Sequence, residues 1–227
     1  MKAAAATSRR GRTRSEPEMS LNETAYLRLK EALVTLAYKP GEYLNTAQVM
    51  ERLGVGRTPV NQALHRLSAE GLIKIIPRKG AMASALSIND ALELIEVRLV
   101  NEMLCMRLAA AAITDGELGE LQAIAEQFEA AAARRDSVSL TNLDRLFHEK
   151  IALAARNSML QDILNVLHAR SQRFWAISLS TEGHLAEVID EHRTIVAALL
   201  AHDADAAADA VKRHILSFKA SMLTSQH

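Results

Sequence analysis

The last proline of this 227-residue chain is Pro77, and after Gly80 only Gly116, Gly119 and Gly183 interrupt a stretch rich in Ala and Leu. Proline deletes a helical N–H and glycine loosens the backbone, so a long run that lacks the first and nearly lacks the second predicts helices throughout. Ahead of Pro77 the turn-forming residues are dense, and a different architecture is expected there.

Charge divides the chain at the same place. Up to residue 86 there are 14 Lys/Arg against 7 Asp/Glu, whereas the remainder carries 13 against 20, so a neutral protein is a basic front joined to an acidic back. Basic surfaces gather nucleic acid by releasing counterions, which makes the front the candidate contact with a polyanion. The lone Cys105 cannot form an internal disulfide and fits a reducing cytosol. No apolar run is long enough to cross a bilayer, and the Ala- and Arg-rich start lacks the apolar core of a signal peptide. A cytoplasmic protein with no membrane partner is expected.

Residues 1–20 carry Arg9, Arg10, Arg12 and Arg14 with no apolar period and read as a disordered basic arm. Such an arm can follow a DNA groove or simply stay solvated. From Leu21, the positions Tyr26, Leu29, Leu33 and Leu36 give an amphipathic helix that runs to Lys39-Pro40-Gly41. Asn45 and Gln48 suggest a capping box for a short helix ending near Gly54. A second short helix follows, with Thr58 as its expected cap and Pro59 in its first turn. Its inward stripe is Val60, Ala63, Leu64 and Leu67, which turns Asn61, Gln62, His65 and Arg66 outward. GLIKIIPRKGAMAS then reads as a hairpin, with Ile73 and Ile75 on one side and a basic tip at Arg78, Lys79 and Gly80. Helix, helix-turn-helix and wing in that order predict a DNA reader over residues 21–84. Amides and arginine on a short exposed helix can pair with base edges in the major groove. Arg57, Arg78 and Lys79 suit phosphates or the minor groove. Taken singly, each of these residues is more often a solvated surface group, and it is the order of the elements that carries the signal.

Residues 24–84, especially PGEYL, LGVGRTPVNQALHRLSAEGLI and PRKGA, resemble the winged helix-turn-helix of the GntR family of bacterial transcription regulators. Family members usually read Ser-Arg-Thr-Pro-Val-Arg-Glu-Ala-Leu where this chain has Gly56 to Leu64. Arg57 and Thr58 match the pattern, while Asn61 and Gln62 replace an arginine and a glutamate, so the operator is expected to differ from the family's usual one.

Six helical segments are expected behind the wing, near residues 88–112, 115–135, 138–156, 158–181, 184–202 and 205–223. Short connections between them make antiparallel neighbours, and the fold class is mainly α: a winged helix-turn-helix followed by an all-α six-helix bundle over residues 85–227. Polar residues intrude on the apolar stripes of this bundle. Asp144 and His148 lie one turn apart beside Leu140, Phe147 and Ile151, His192 sits amid Val188, Ile189 and Val196, and His214 amid Val211, Ile215 and Phe218. Buried and unpaired, such groups cost several kcal/mol. One divalent cation such as Zn²⁺, Ni²⁺ or Mn²⁺ would satisfy all four, although a hydrogen-bonded core position also accounts for any single histidine. His65, His184, His202 and His227 are expected at exposed or terminal positions, and His168 borders a stripe without a clear place.

EVRLVNE, DRLFHEKIALAARN, DEHRTIVAALLAHD and the segment from Ala207 to His214 resemble the FCD effector domain of the FadR subfamily, with a helix count nearer its VanR branch. The resemblance implies Asp144, His148, His192 and His214 as metal ligands. It also implies a small organic acid as effector, docked near the metal with help from Arg98, for which a surface ion pair with Glu102 is the alternative. The function so implied is a homodimeric regulator, read as a repressor, on a pseudo-palindromic double-stranded operator, its operator affinity controlled by the effector. A metal-dependent hydrolytic enzyme, or a regulator with a purely structural metal, stands as the alternative reading.

Overall fold

A computed structural model describes residues 19–178 and 184–224. The first eighteen residues of the expected basic arm, Gly183 and His227 lie outside the described residues.

Helix α1 (Leu21–Val34) is capped by Ser20, whose hydroxyl accepts from Glu23 N, and buries Tyr26, Leu29 and Leu33. It stops earlier than its apolar period predicts. Leu36 adopts φ 60° and the chain turns there, a full turn before Pro40. Asn45 caps α2 (Thr46–Leu53) by accepting from Ala47 N and Gln48 N, and Gly54 closes it in the left-handed region. Helix α3 (Arg57–Ala69) starts from Gly56 with no side-chain cap, so Thr58 lies inside the first turn instead of capping it. The expected stripe of Val60, Ala63, Leu64 and Leu67 is buried.

The wing has three strands, not two. β1 (Tyr43–Leu44) and β2 (Ile73–Ile76) flank β3 (Gly80–Ala83), all antiparallel. A two-residue strand has too little alternation to be read from sequence. Ile75 shares the face of Ile73 by alternation yet is 42% exposed, whereas Ile73 is buried.

Helices α4 (Ile88–Ala112), α5 (Asp115–Ala133), α6 (Ser137–Ala154), α7 (Ser158–Ser178), α8 (His184–Leu200) and α9 (Ala204–Thr224) follow the six expected segments to within a few residues. Their starts follow local chemistry. Ser87 accepts from Asp90 N, Thr114 and Glu117 form a reciprocal capping box, and Asp136 accepts from Ser139 N. Packing of α4 on α9, α5 on α6 and α8 on α9 builds one core around Phe128, Phe147 and Trp175.

A separate core, around Leu29, Leu33, Leu67 and Ile73, holds the front unit and includes Ala169 of α7. Helix α7 is thus the element of the bundle that packs on α1. Arg170 Nε donates to the Glu70 carbonyl at 2.7 Å, and Arg173 Nη2 donates to the Ser84 carbonyl. Both arginines hold backbone at the two ends of the wing.

Candidate metal centre and DNA-reading surface

One α-helical turn separates Asp144 from His148 on the inner face of α6, while α8 contributes His192 and α9 contributes His214. The four side chains are buried, and one ligand atom from each lies within 4.8 Å of the others. His192 Nε2 is 3.5 Å and His148 Nε2 is 3.8 Å from Asp144 Oδ1. Phe147 stacks on the His192 ring at 4.3 Å between centroids and Phe128 meets it edge-on at 5.0 Å, which fixes the imidazole plane. His214 Nδ1 lies 2.8 Å from Glu191 Oε2, so with a proton there its Nε2 remains as the nitrogen able to ligate.

Burial pushes the pKa values of His148 and His192 below the ordinary histidine range, so both rings keep a lone pair near neutral pH. Burial alone would raise Asp144. The close approach of His192 Nε2 and of the neighbouring imidazoles outweighs that and holds it below the usual carboxylate range. Among the described residues, Asp144 Oδ1 and both ring nitrogens of His192 are buried without a hydrogen-bond partner. Orphaned polar atoms facing one another in a core are rare unless something joins them. Three imidazoles and a carboxylate are a donor set that fits Zn²⁺, Ni²⁺ or Mn²⁺, and the residues present therefore fit a divalent cation.

Beside this group lies a second one that sequence reasoning missed in part. Arg98 donates from Nε to Glu102 Oε1 at 2.6 Å and from Nη1 to Ser171 Oγ at 2.6 Å. The Arg98–Glu102 pair is thus made as its i,i+4 spacing allows, but it is buried, with Arg98 5% and Glu102 2% exposed, and is no surface pair. His168, unplaced from sequence, is buried with Nε2 3.2 Å from Glu102 Oε1. Its signal was present, four residues after Leu164 on the stripe of α7. His184 is a correction in the same direction: expected to be exposed, it is 4% exposed, because α8 starts inside the bundle against α9.

Arg98, Asp144, His148, His168, Gln172 and His214 are among the residues that line a small cavity of about 20 Å³. That is room for about one water molecule. Arg145, His168 and Gln172 also line a cleft of about 750 Å³ between α1 and α3 on one side and α6 and α7 on the other. The cavity therefore sits directly behind the wall of a cleft between the two units.

On the front unit Arg57, Thr58, Asn61, Gln62 and His65 are exposed on α3, and Arg78 and Lys79 are exposed at the wing tip. Arg78 (φ 65°) and Gly80 (φ 96°) make the tip turn, and a Cβ on Gly80 would lie 3.2 Å from the Leu44 carbonyl. Gly80 thus serves the turn that carries the basic tip. Arg66 is drawn back toward α1, pairing with Glu23 and Glu70.

Residues 93–217 match the family model for the FCD domain, and residues 21–82 match that for bacterial regulatory proteins of the gntR family. The HTH-type transcriptional repressor RspR of Escherichia coli is 26% identical over 210 residues, 92% of each chain. The HTH-type transcriptional regulator YdhC of Bacillus subtilis is 28% identical over 194 residues, 85% of this chain and 84% of that one. The structure of E. coli McbR/YncC superposes with a TM-score of 0.85 at 24% identity, covering 92% of this chain and all of that one, a likeness of fold.

Proposed function

The chain belongs to the gntR family of bacterial regulatory proteins and carries an FCD domain, and from that premise we propose that it is a repressor whose operator affinity is set by a small carboxylate bound at a metal in the bundle. The observation that carries the reading is the buried quartet of Asp144, His148, His192 and His214 beside a cavity wall that holds the guanidinium of Arg98. A bound divalent cation supplies a Lewis-acidic anchor for a carboxylate oxygen. The chain's own residues do the rest: the three imidazoles and Asp144 hold the ion, and Arg98, oriented by Glu102 and Ser171, meets the second oxygen.

The cavity holds about one water, so a carboxylic acid enters it only when the wall shared with the inter-unit cleft moves. That wall belongs to α6 and α7, and α7 also holds the front unit through Arg170 and Arg173. An effector that binds one arrangement of α7 better than another thereby biases the heads. In the DNA-bound state two copies place their α3 helices in successive major grooves of a pseudo-palindromic operator, with Thr58, Asn61, Gln62 and His65 facing the bases and Arg57, Arg78 and Lys79 the backbone. The relatives are transcriptional regulators, and the family is one of DNA-binding regulators, not enzymes.

The test is a titration of Ni²⁺- or Zn²⁺-loaded protein with mono-, di- and tricarboxylic acids, read by thermal shift and then by gel shift on operator DNA. An acid that raises Tm and releases DNA supports the reading. Metal that binds while no acid alters DNA release would leave a structural metal instead.

A further inference from the structure

Glu102 is 2% exposed and does not line the cavity, yet it touches three residues that do. Its Oε1 accepts from Arg98 Nε at 2.6 Å and lies 3.2 Å from His168 Nε2, and its Oε2 lies 3.6 Å from His148 Nδ1. The opposite ring nitrogen of His148, Nε2, faces Asp144. One imidazole therefore spans from the quartet to a carboxylate behind it. In metal sites a histidine whose far N–H meets a carboxylate is fixed in tautomer and orientation.

We propose that Glu102 is a positioning residue that aims two groups from behind the cavity wall, His148 at the metal and Arg98 at the effector carboxylate. The proposal rests on the metal reading above and adds a coupling to it. Because one carboxylate anchors both, any change at Arg98 is felt at His148, although the guanidinium touches no metal ligand among its hydrogen bonds. Effector binding and metal binding are then coupled, each changing the other's affinity by the same factor, as linkage requires.

Glu102, His148 and His168 also have the composition of a cation site of their own. Two facts argue for the anchoring role instead. The Arg98 guanidinium, a fixed positive charge, already occupies Glu102 Oε1, and His148 would have to ligate through both nitrogens at once. Glu102 Oε2 has no hydrogen-bond partner among the described residues and faces only His148 Nδ1, while a second ion there would meet the Arg98 guanidinium at close range.

The probe is Co²⁺ on the full-length protein, with affinity measured by chelator competition and ligation by the d–d spectrum. Wild type is expected to bind one Co²⁺ per chain. Glu102→Gln is expected to weaken it about 10- to 100-fold with the band shape unchanged, since no ligand is lost. Arg98→Lys is expected to shift Co²⁺ affinity several-fold, and non-additively with Glu102→Gln. Unchanged affinity in Glu102→Gln, additive effects of the two variants, or two Co²⁺ per chain would overturn the proposal. A structural role alone would move the thermal stability of the metal-free protein without moving the affinity of the variants that stay folded. Should Glu102→Gln not fold, wild type decides: ¹⁵N spectra of histidine-labelled, Zn²⁺-loaded protein should show His148 protonated at Nδ1, and ligation through Nδ1 would refute the proposal. If wild type binds no Co²⁺, the metal reading falls and this proposal with it. If wild type binds and His192→Ala does not, failure of Glu102→Gln to weaken binding removes this proposal alone.

Discussion

The guanidinium of Arg66 lies 3.5 Å from the centroid of the Tyr26 ring, across the interface between α3 and α1. A residue at an outward position of the recognition helix is thus committed to holding that helix in place. Arg66→Ala is expected to lower stability by about 1 kcal/mol, the scale of a partly exposed cation–π contact, and to leave base preference alone. Asn61→Ala and Gln62→Ala should behave oppositely, each relaxing one operator position by about 1–3 kcal/mol. Binding-site selection from random DNA with the three variants checks this, and an altered consensus for Arg66→Ala would contradict it.

Arg57 opens the same helix and makes no ion pair or side-chain hydrogen bond among the described contacts. Arg57→Ala should abolish operator binding in a gel shift while Tm stays within a degree or two. Retained binding would remove Arg57 from the DNA surface.

Gly71 follows α3 with φ +76°, and a Cβ there would fall 2.2 Å from Arg170 Nη2. Gly71→Ala therefore carries two penalties: a left-handed backbone, about 1–2 kcal/mol, and displacement of the arginine that holds the Glu70 carbonyl. Arg170→Ala in the same chain should relieve the second and not the first. Chemical denaturation of the single and double variants gives the coupling; simple additivity would mean that Arg170 moves aside freely.

Truncating Arg98 leaves Glu102 buried and without its guanidinium. Arg98→Ala is expected to cost about 3–5 kcal/mol, as breaking one side of a buried pair does, whereas Arg98→Met with Glu102→Met should cost clearly less. Loss of effector response in Arg98→Ala alone therefore says little about effector binding. Urea denaturation of the metal-free proteins checks the order.

The Cys105 thiol is pushed up to about 12 by burial and by the nearby Glu102 charge. Burial and the hydrogen bond to Glu70 likewise raise Tyr26. Both groups are acids held neutral in the fold, so their stabilisation is complete below their unfolded values and is lost as pH rises toward the folded ones. Stability should hold up to about pH 8.5 and then decline toward pH 12. Thiol labelling at pH 9 should be slow in the native protein and accelerate in urea. Fast native labelling would show Cys105 to be accessible.

Periodicity and punctuation made the bundle readable, since the spacing of Leu, Val and Ile on α4 to α9 and caps such as Ser87 and Thr114 depend on local sequence. The quartet was legible because a polar residue on an apolar stripe is conspicuous. Glu102 was not, since its spacing from Arg98 is that of any exposed i,i+4 pair and its burial depends on Ser171 and His168, some seventy residues away in the chain. The end of α1 and the burial of His184 failed for related reasons: a left-handed Leu36 and the seating of α8 against α9 are settled by packing. The pull of Tyr26 on Arg66 also lay outside any local pattern.

Arg170 and Arg173 grip the carbonyls of Glu70 and Ser84, and a carbonyl is the same whatever side chain it carries. Side-chain changes at those two residues, or at Asn61 and Gln62 on the outward face of α3, leave the gripped carbonyls in place. A lineage carrying this bundle could drift to new operators one base contact at a time while the mechanical joint to its sensor stays intact, with Gly71 as the position least free to vary.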